Sequence, residues 1–234
     1  MIELRRRYSG GSDSPSFSRL PKGYQEVEYL QGDGNAYLVI HIIPQVGDSF
    51  DLDLALNAAN SHGTSTIVYR DSNVENRFGV SYNKNSLYLQ GNALYYAVGY
   101  SAANDERHLI HYQWGESEYS VSVKKNNEVV KTYSTGRTAT FNSISCEIPL
   151  FCYFLQNSSS PMEISKMQVY GYTYYRNEKI FANLIPCRRI SDNEKGMYDI
   201  VNNVFYTNAG TGEFSVGPDV HYNIPPEYQQ VEYL

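Results

Sequence analysis

The sequence predicts an all-β protein, two antiparallel sheets packed face to face in a sandwich, and three observations carry that expectation. Short segments rich in Val, Ile, Leu, Phe and Tyr recur along most of the 234 residues, with Asn, Gly, Asp and Ser between them. Several alternate with period two, as Phe50, Leu52, Leu54 and Leu56 do against Asp51, Asp53, Ala55 and Asn57. No segment combines a helical period with capping residues, so at most one short helix is expected. A chain of this length suits a single sandwich with a sizeable core.

Taken in order, residues 1–19 are rich in Gly, Ser, Pro and Arg without an apolar period and read as a flexible N-terminal arm. Order is expected from Leu20. A first strand covers YQEVEYL (24–30), a turn falls at Gly32-Asp33-Gly34, and a second strand takes 37–43. The alternating strand at 50–56 and a loop at 57–66 follow. Segments 67–70, 77–82, 87–90 and 93–100 then form a meander. Residues 107–113 and 119–125 flank a turn around Trp114-Gly115-Glu116, and Asn126-Asn127 turns the chain into 128–133. After a polar stretch at 134–145, the apolar segment 150–156 reads as a strand buried on both faces. A loop at 158–161 leads to a long strand at 164–175, with Tyr170, Tyr172 and Tyr174 on one face, and a turn at Arg176-Asn177 leads into 179–185.

The most fully punctuated stretch is 184–217. Residues 197–201 and 204–207 are β-formers on either side of Asn202-Asn203, a pair that tolerates the positive φ of a tight hairpin. Asn208-Ala209-Gly210-Thr211-Gly212 reverses the chain, 213–216 resumes as a strand, and Gly217-Pro218 closes it. A hairpin this small needs a larger sheet to lie on.

The segment PCRRISDNEKGMYD, followed by FYTNAGTGEFSVGPDV, resembles the close of laminin-G-like, concanavalin A-like jelly-roll modules of surface and phage-tail proteins of gut bacteria. PKGYQEVEYLQGDGNAYL resembles their opening, and 107–133, a strand after a histidine leading into a hairpin, resembles their centre. The resemblance covers 20–219 and implies a concanavalin A-like sandwich there. Residues 220–234 then read as a linker and the truncated start of a repeated module, because PKGYQEVEYL at 21–30 returns without gaps as PPEYQQVEYL at 225–234. An unpaired strand of this kind is expected to self-associate by adding to a sheet edge of a neighbour.

Composition narrows the function. The formal charge of −6 and pI near 5.4 lack the basic footprint that nucleic acid requires, and Arg5-Arg6-Arg7 reads as a solvated run. No apolar run is long enough to span a bilayer, and no signal-peptide core follows the N-terminal arginines, so neither membrane insertion nor Sec export is expected. A virion or bacterial surface fits the resemblance. Cys146, Cys152 and Cys187 are odd in number without CxxC spacing, which argues against a disulfide framework or zinc and for small buried side chains.

No cofactor motif is present: GxSxG, HExxH, P-loop and GxGxxG are all absent, as is the ExDxxE of sandwich-fold glycoside hydrolases. Asp51 and Asp53 could bind calcium, as laminin-G-like modules sometimes do, but alternation alone explains the pair as a solvated face, and no metal is expected. His41, His62, His108, His111 and His221 show no ligand spacing. The remaining candidates are aromatic. Tyr95, Tyr96, Tyr100, Tyr112, Trp114 and Tyr119 cluster mid-chain and, if exposed, would stack on sugar faces or anchor a protein; as sheet tyrosines they would need no ligand at all. The expectation is a non-enzymatic structural or adhesion module, with a glycan or a protein as partner. The alternatives are a lectin using those rings and a divergent carbohydrate-active enzyme.

Overall fold

Period-two segments become strands, and the partner each strand takes decides its layer. The computed structural model describes residues 18–57, 65–70, 77–91, 94–136, 147–155, 161–162 and 164–222. In chain order the strands are β1 (Tyr24–Glu26), β2 (Leu30–Gly32), β3 (Leu38–Ile40), β4 (Ser49–Ala55), β5 (Ser65–Arg70) and β6 (Arg77–Asn83). Next come β7 (Ser86–Gly91), β8 (Leu94–Ser101), β9 (His108–Trp114), β10 (Tyr119–Lys125), β11 (Glu128–Ser134), β12 (Ile148–Leu150) and β13 (Tyr153–Leu155). The last are β14 (Pro161–Met162), β15 (Gln168–Arg176), β16 (Lys179–Arg189), β17 (Lys195–Asp199), β18 (Val204–Thr207) and β19 (Phe214–Val216). Among the described residues there is no helix.

The large sheet runs β11-β10-β9-β4-β15-β16-β17-β18, with β1 added to β16 and the pair β2–β19 added to β15. The facing sheet runs β14-β13-β5-β6-β7-β8, and β3 with β12 forms a separate pair. Among the described residues every strand pair is antiparallel except β13 with β5. The chain is therefore an all-β sandwich.

Two-residue reversals are carried by consecutive positive φ angles, which suit the right-handed twist of hairpins. They fall at Lys84-Asn85 (48° and 69°), Asn126-Asn127 (48° and 66°) and Asn177-Glu178 (51° and 62°), the last one residue later than the sequence suggests. The β17–β18 connection is longer than a tight Asn-Asn turn. Its strand stops at Asp199, whose buried carboxylate accepts the amides of Val201 (2.9 Å), Asn202 (3.3 Å) and Asn183 (3.1 Å) and the side-chain amide of Asn202 (2.6 Å). Four residues, 200–203, make the turn, and Asn203 alone among them takes positive φ, at 57°.

Three expected strands are broken or re-aimed. YQEVEYL splits because the chain changes partner: β1 lies on β16, whereas β2 pairs with β15 and β19. The segment 150–156 is not one strand, since Phe151 at φ 73° separates β12, on β3, from β13, on β5. A bulge between Val169 and Gly171 re-aims β15, so Tyr172 and Tyr174 point inward while Tyr170 turns out against Tyr29, ring centroids 5.4 Å apart.

The core lies between the sheets and is largely aromatic. Phe78 of β6 enters a nest on the large sheet made by Phe50, Tyr112, Trp114 and Tyr174, with centroid distances of 5.7, 4.9, 5.5 and 6.3 Å. Beside it, Gly91 leaves room for the Tyr119 ring, which a Cβ there would approach to 2.5 Å. Polar links cross the same gap. His108 Nδ1 donates to the Glu106 carbonyl (2.8 Å), which leaves Nε2 to accept the Tyr82 hydroxyl at 2.5 Å. At one end of the sandwich the buried Asp48 accepts Tyr174 Oη (2.5 Å), Arg176 Nη2 (2.9 Å) and the Gln45 amide (2.8 Å). A second, smaller apolar cluster of Leu20, Ile185, Cys187 and Tyr198 sits on the outer face of the large sheet under residues 20–24.

Two outcomes follow from this packing. Asn203→Pro cannot adopt φ 57° and should cost more than about 1 kcal/mol, read as a lowered thermal midpoint. Burial holds the His108 imidazole below its ordinary pKa of 6.5, so its neutral form stabilises the fold above that pH, and the contribution is lost as pH falls through the depressed value. The unfolding free energy should therefore fall less steeply between pH 7 and 5 in His108→Gln than in the parent, the slopes differing by at most about 1.4 kcal/mol per pH unit, as read by denaturant titration.

Candidate functional site

The alternation that fills the core also sorts the six aromatic candidates. Tyr112 and Trp114 share a parity with Ile110 on β9, and Tyr119 shares one with Val121 on β10; all three rings are buried in the core. As ligand-binding candidates these three are corrected, since none offers the exposed ring that stacking requires: they pack against Phe50, Phe78 and one another, as sheet aromatics do without a ligand. Tyr96 and Tyr100 are half-buried at the core's margin, Tyr96 near Tyr133 (6.3 Å) and Tyr100 beneath Lys125 Nζ (5.3 Å). The backbone of Tyr95 pairs with Gln90, and its side chain lies outside the described residues. The surface therefore presents no platform built from Tyr112, Trp114 and Tyr119.

What the outer face of the large sheet does present is a polar row. Thr132, Ser122, His111, Asp51, Thr173 and Asn183 stand opposite one another across β11, β10, β9, β4, β15 and β16. Each belongs to the parity that faces away from the core. At its centre, Asp51 Oδ1 accepts His111 Nδ1 at 2.7 Å and Oδ2 accepts the Tyr175 hydroxyl at 2.8 Å. Burial alone would raise the Asp51 carboxyl pKa, but the bonds from His111 and Tyr175 outweigh it and hold the group below its ordinary value. The same contact works the other way on Tyr175: burial and the neighbouring carboxylate push its phenol up to about 12.

Beside this carboxylate a hollow of about 290 Å3 opens over β9–β11, lined by His111, Ser120, Ser122, Thr132 and Ser134 together with Val121 and Tyr133. Hydroxyl groups both donate and accept, and His111 is fixed from beneath by Asp51. The arrangement can hold a polar, neutral ligand through several hydrogen bonds of about 0.5–1.5 kcal/mol each. The alternation in YSVSVKK, with Ser120 and Ser122 on the wet parity, is the signal that could have found it. The pairing of His111 with Asp51 depends on register between strands 60 positions apart, which the sequence does not display.

Asp53, the other half of the suspected cation pair, is taken by Arg107 in a two-pronged contact of 2.9 and 2.8 Å, with the guanidinium 4.1 Å from the centre of the Tyr170 ring. Among the described residues no three His, Cys, Asp or Glu side chains gather closely enough to hold a metal ion. Cys152 and Cys187 are buried thiols, their pKa values raised by burial, Cys187 to about 12; Cys146 lies outside the described residues.

No protein-family model matches the chain, and no curated protein matches it. Among solved structures, the native heptameric SAP-like pentraxin from Limulus polyphemus is similar at a TM-score of 0.47 and 10% identity, covering 82% of this chain and 96% of that one. A likeness of that degree bears on neither family nor ligand.

With Asp51 tied to His111 and Tyr175 and Asp53 to Arg107, addition of EDTA should leave the melting midpoint unchanged, and so should a reductant, the two described cysteines being unpaired. A drop of several degrees in EDTA would show that a bound cation stabilises the fold.

Proposed function

We propose that the chain is a non-enzymatic module of a phage-tail, prophage or bacterial surface protein and acts in adhesion or assembly. Support for the module comes from the two segments that resemble the ends of laminin-G-like modules, which lie against each other in the fold. Asp33 Oδ2 accepts the Glu213 amide (2.9 Å), Asn208 Oδ1 accepts the Tyr37 amide (3.2 Å), and β2 pairs with β19. Opening and closing segments of one unit would meet in this way.

The observation that carries the binding role is the hydroxyl-lined hollow. Its volume of about 290 Å3 sits at the lower end of ligand pockets, roughly 300–1,000 Å3, so one sugar ring or a short polar side chain suits it better than an extended polymer. A few neutral hydrogen bonds in an open site give weak affinity, which display of many copies on a particle or cell surface would raise through avidity. The hollow favours a lectin as the second reading, with Ser120, Ser122, Thr132 and His111 taking the place of the aromatic cluster, the Ser134 hydroxyl being engaged by Glu118 and the Gly136 amide. An acid/base hydrolase is less well supported, because its two carboxyl groups must titrate apart and Asp51 is held ionised by its partners.

A glycan array separates these readings. Retention of the parent chain on a defined glycan, lost in Ser122→Trp with an unchanged melting midpoint, supports the lectin, whereas no retention on any glycan together with particle-associated copies supports assembly. Trp114→Ala is unsuited to the purpose, since it would empty part of the core. Release of reducing ends from a bound polysaccharide would overturn the non-enzymatic reading.

A further inference from the structure

We propose that residues 225–234 of one copy fill, in a second copy, the slot that residues 21–30 occupy in their own sandwich, so that copies associate by strand exchange. The structure shows what the first occurrence of the repeat does. β1 pairs with β16 through Tyr24↔Arg189, Gln25↔Arg188 and Glu26↔Cys187. The Tyr24 ring packs on Tyr198 (4.7 Å) and Phe205 (5.0 Å), and the Gln25 side chain donates to the Val220 carbonyl (3.2 Å). Val27 and Leu30 are fully buried, and Tyr29 lies on Tyr170.

Each of these five side chains returns in register as Tyr228, Gln229, Val231, Tyr233 and Leu234. Seven of ten positions are identical without a gap, and they include every apolar side chain that fills the slot. The departures are informative. Glu26 is buried and requires a cation, which Arg19 supplies, while the Tyr222 hydroxyl donates to it at 2.8 Å. The repeat has Gln230 there, a neutral amide that can enter the slot without an arginine travelling with it. Gly23, at φ 101°, shapes the entry of the first strand from Lys22; Glu227 stands in its place, so the second segment suits an entry from another direction.

The hinge favours a neighbour over the chain's own slot. Residues 219–222 already run antiparallel beside β1, with the Val220 amide on the Glu26 carbonyl (2.9 Å) and Val27 bridged to Asp219. To reach its own slot the chain would have to reverse within residues 223–227. Ile224 and Pro225 each precede a proline and are therefore biased to extended backbone, a preference that opposes such a reversal. Entry displaces residues 21–30 of the second copy, which then stand unpaired as 225–234 did, so the slot's contacts are kept while the copies become linked, as in swapped dimers and chains.

Cys187 supplies the test. It faces Glu26 in the register, and the hydrogen bonds Val27 N to Pro186 O and Ile190 N to Gly23 O place that pair at a non-hydrogen-bonded position, where Cα atoms approach to about 4.5 Å, within disulfide reach. In a full-length Cys146→Ser background, Gln230→Cys is oxidised and mapped by peptide mass spectrometry, with Glu26→Cys as the positive control for an intrachain bond to Cys187. The expected result is an interchain bond between positions 230 and 187. At low occupancy its yield should rise about tenfold for a tenfold rise in protein concentration and should be lost in Val231→Asp. If the control bonds while position 187 in the Gln230→Cys variant stays free at every concentration, or bonds only within its own chain, the proposal is overturned.

Discussion

The sandwich depends on one side chain crossing between its layers. Phe78 leaves the smaller sheet and lies among Phe50, Tyr112, Trp114 and Tyr174 of the larger one, so strands from β4, β6, β9 and β15 share a single aromatic contact. A buried phenylalanine of this kind is worth about 3–5 kcal/mol on truncation to alanine, a large part of the roughly 5–15 kcal/mol by which a domain is stable. The neighbours of Phe78 explain the composition. A buried tyrosine hydroxyl is costly without a partner: Tyr82 finds His108, Tyr112 the Gln90 carbonyl and Tyr174 Asp48, whereas the Tyr172 hydroxyl meets none among the described residues.

Asp48 shows what such pairing demands. Its charge is out of water and is held by Arg176, by the Tyr174 hydroxyl and by the Gln45 amide, while Arg176 also reaches the Ile43 carbonyl and lies over the Phe181 ring (4.5 Å). Breaking a buried pair of this type typically costs more than forming it contributes, because the surviving charge is stranded. The network fixes the approach of residues 43–48 to the start of β4. That in turn sets the register that brings Asp51 to His111 on the opposite face.

Much of this was legible in the sequence because alternation is a local property. Phe50, Leu52 and Leu54 went inward and Asp51 and Asp53 outward as their parity requires, and the double-asparagine turn at 126–127 took the positive φ angles its residues permit. What the sequence concealed was relational. The bulge that turns Tyr170 outward depends on β4, and the break at Phe151 depends on two different partner sheets. The aromatic cluster misled for a related reason: spacing shows that Tyr112, Trp114 and Tyr119 are near one another in the chain, but only pairing shows which side of the sheet is covered. The serines and His111 share a hollow by register alone.

The side-by-side course of β1 and residues 219–222 has a mechanical consequence. Antiparallel neighbours bridged at Val27 and Asp219, with Val220 bonded to Glu26 and Tyr222 reaching Glu26, send both ends of the described fold out from the same end of the ladder. Tension applied through those two ends meets the hydrogen bonds one after another, as a zip is opened, instead of loading them together in shear. A pull on those two ends therefore reaches this seam before the aromatic core behind it.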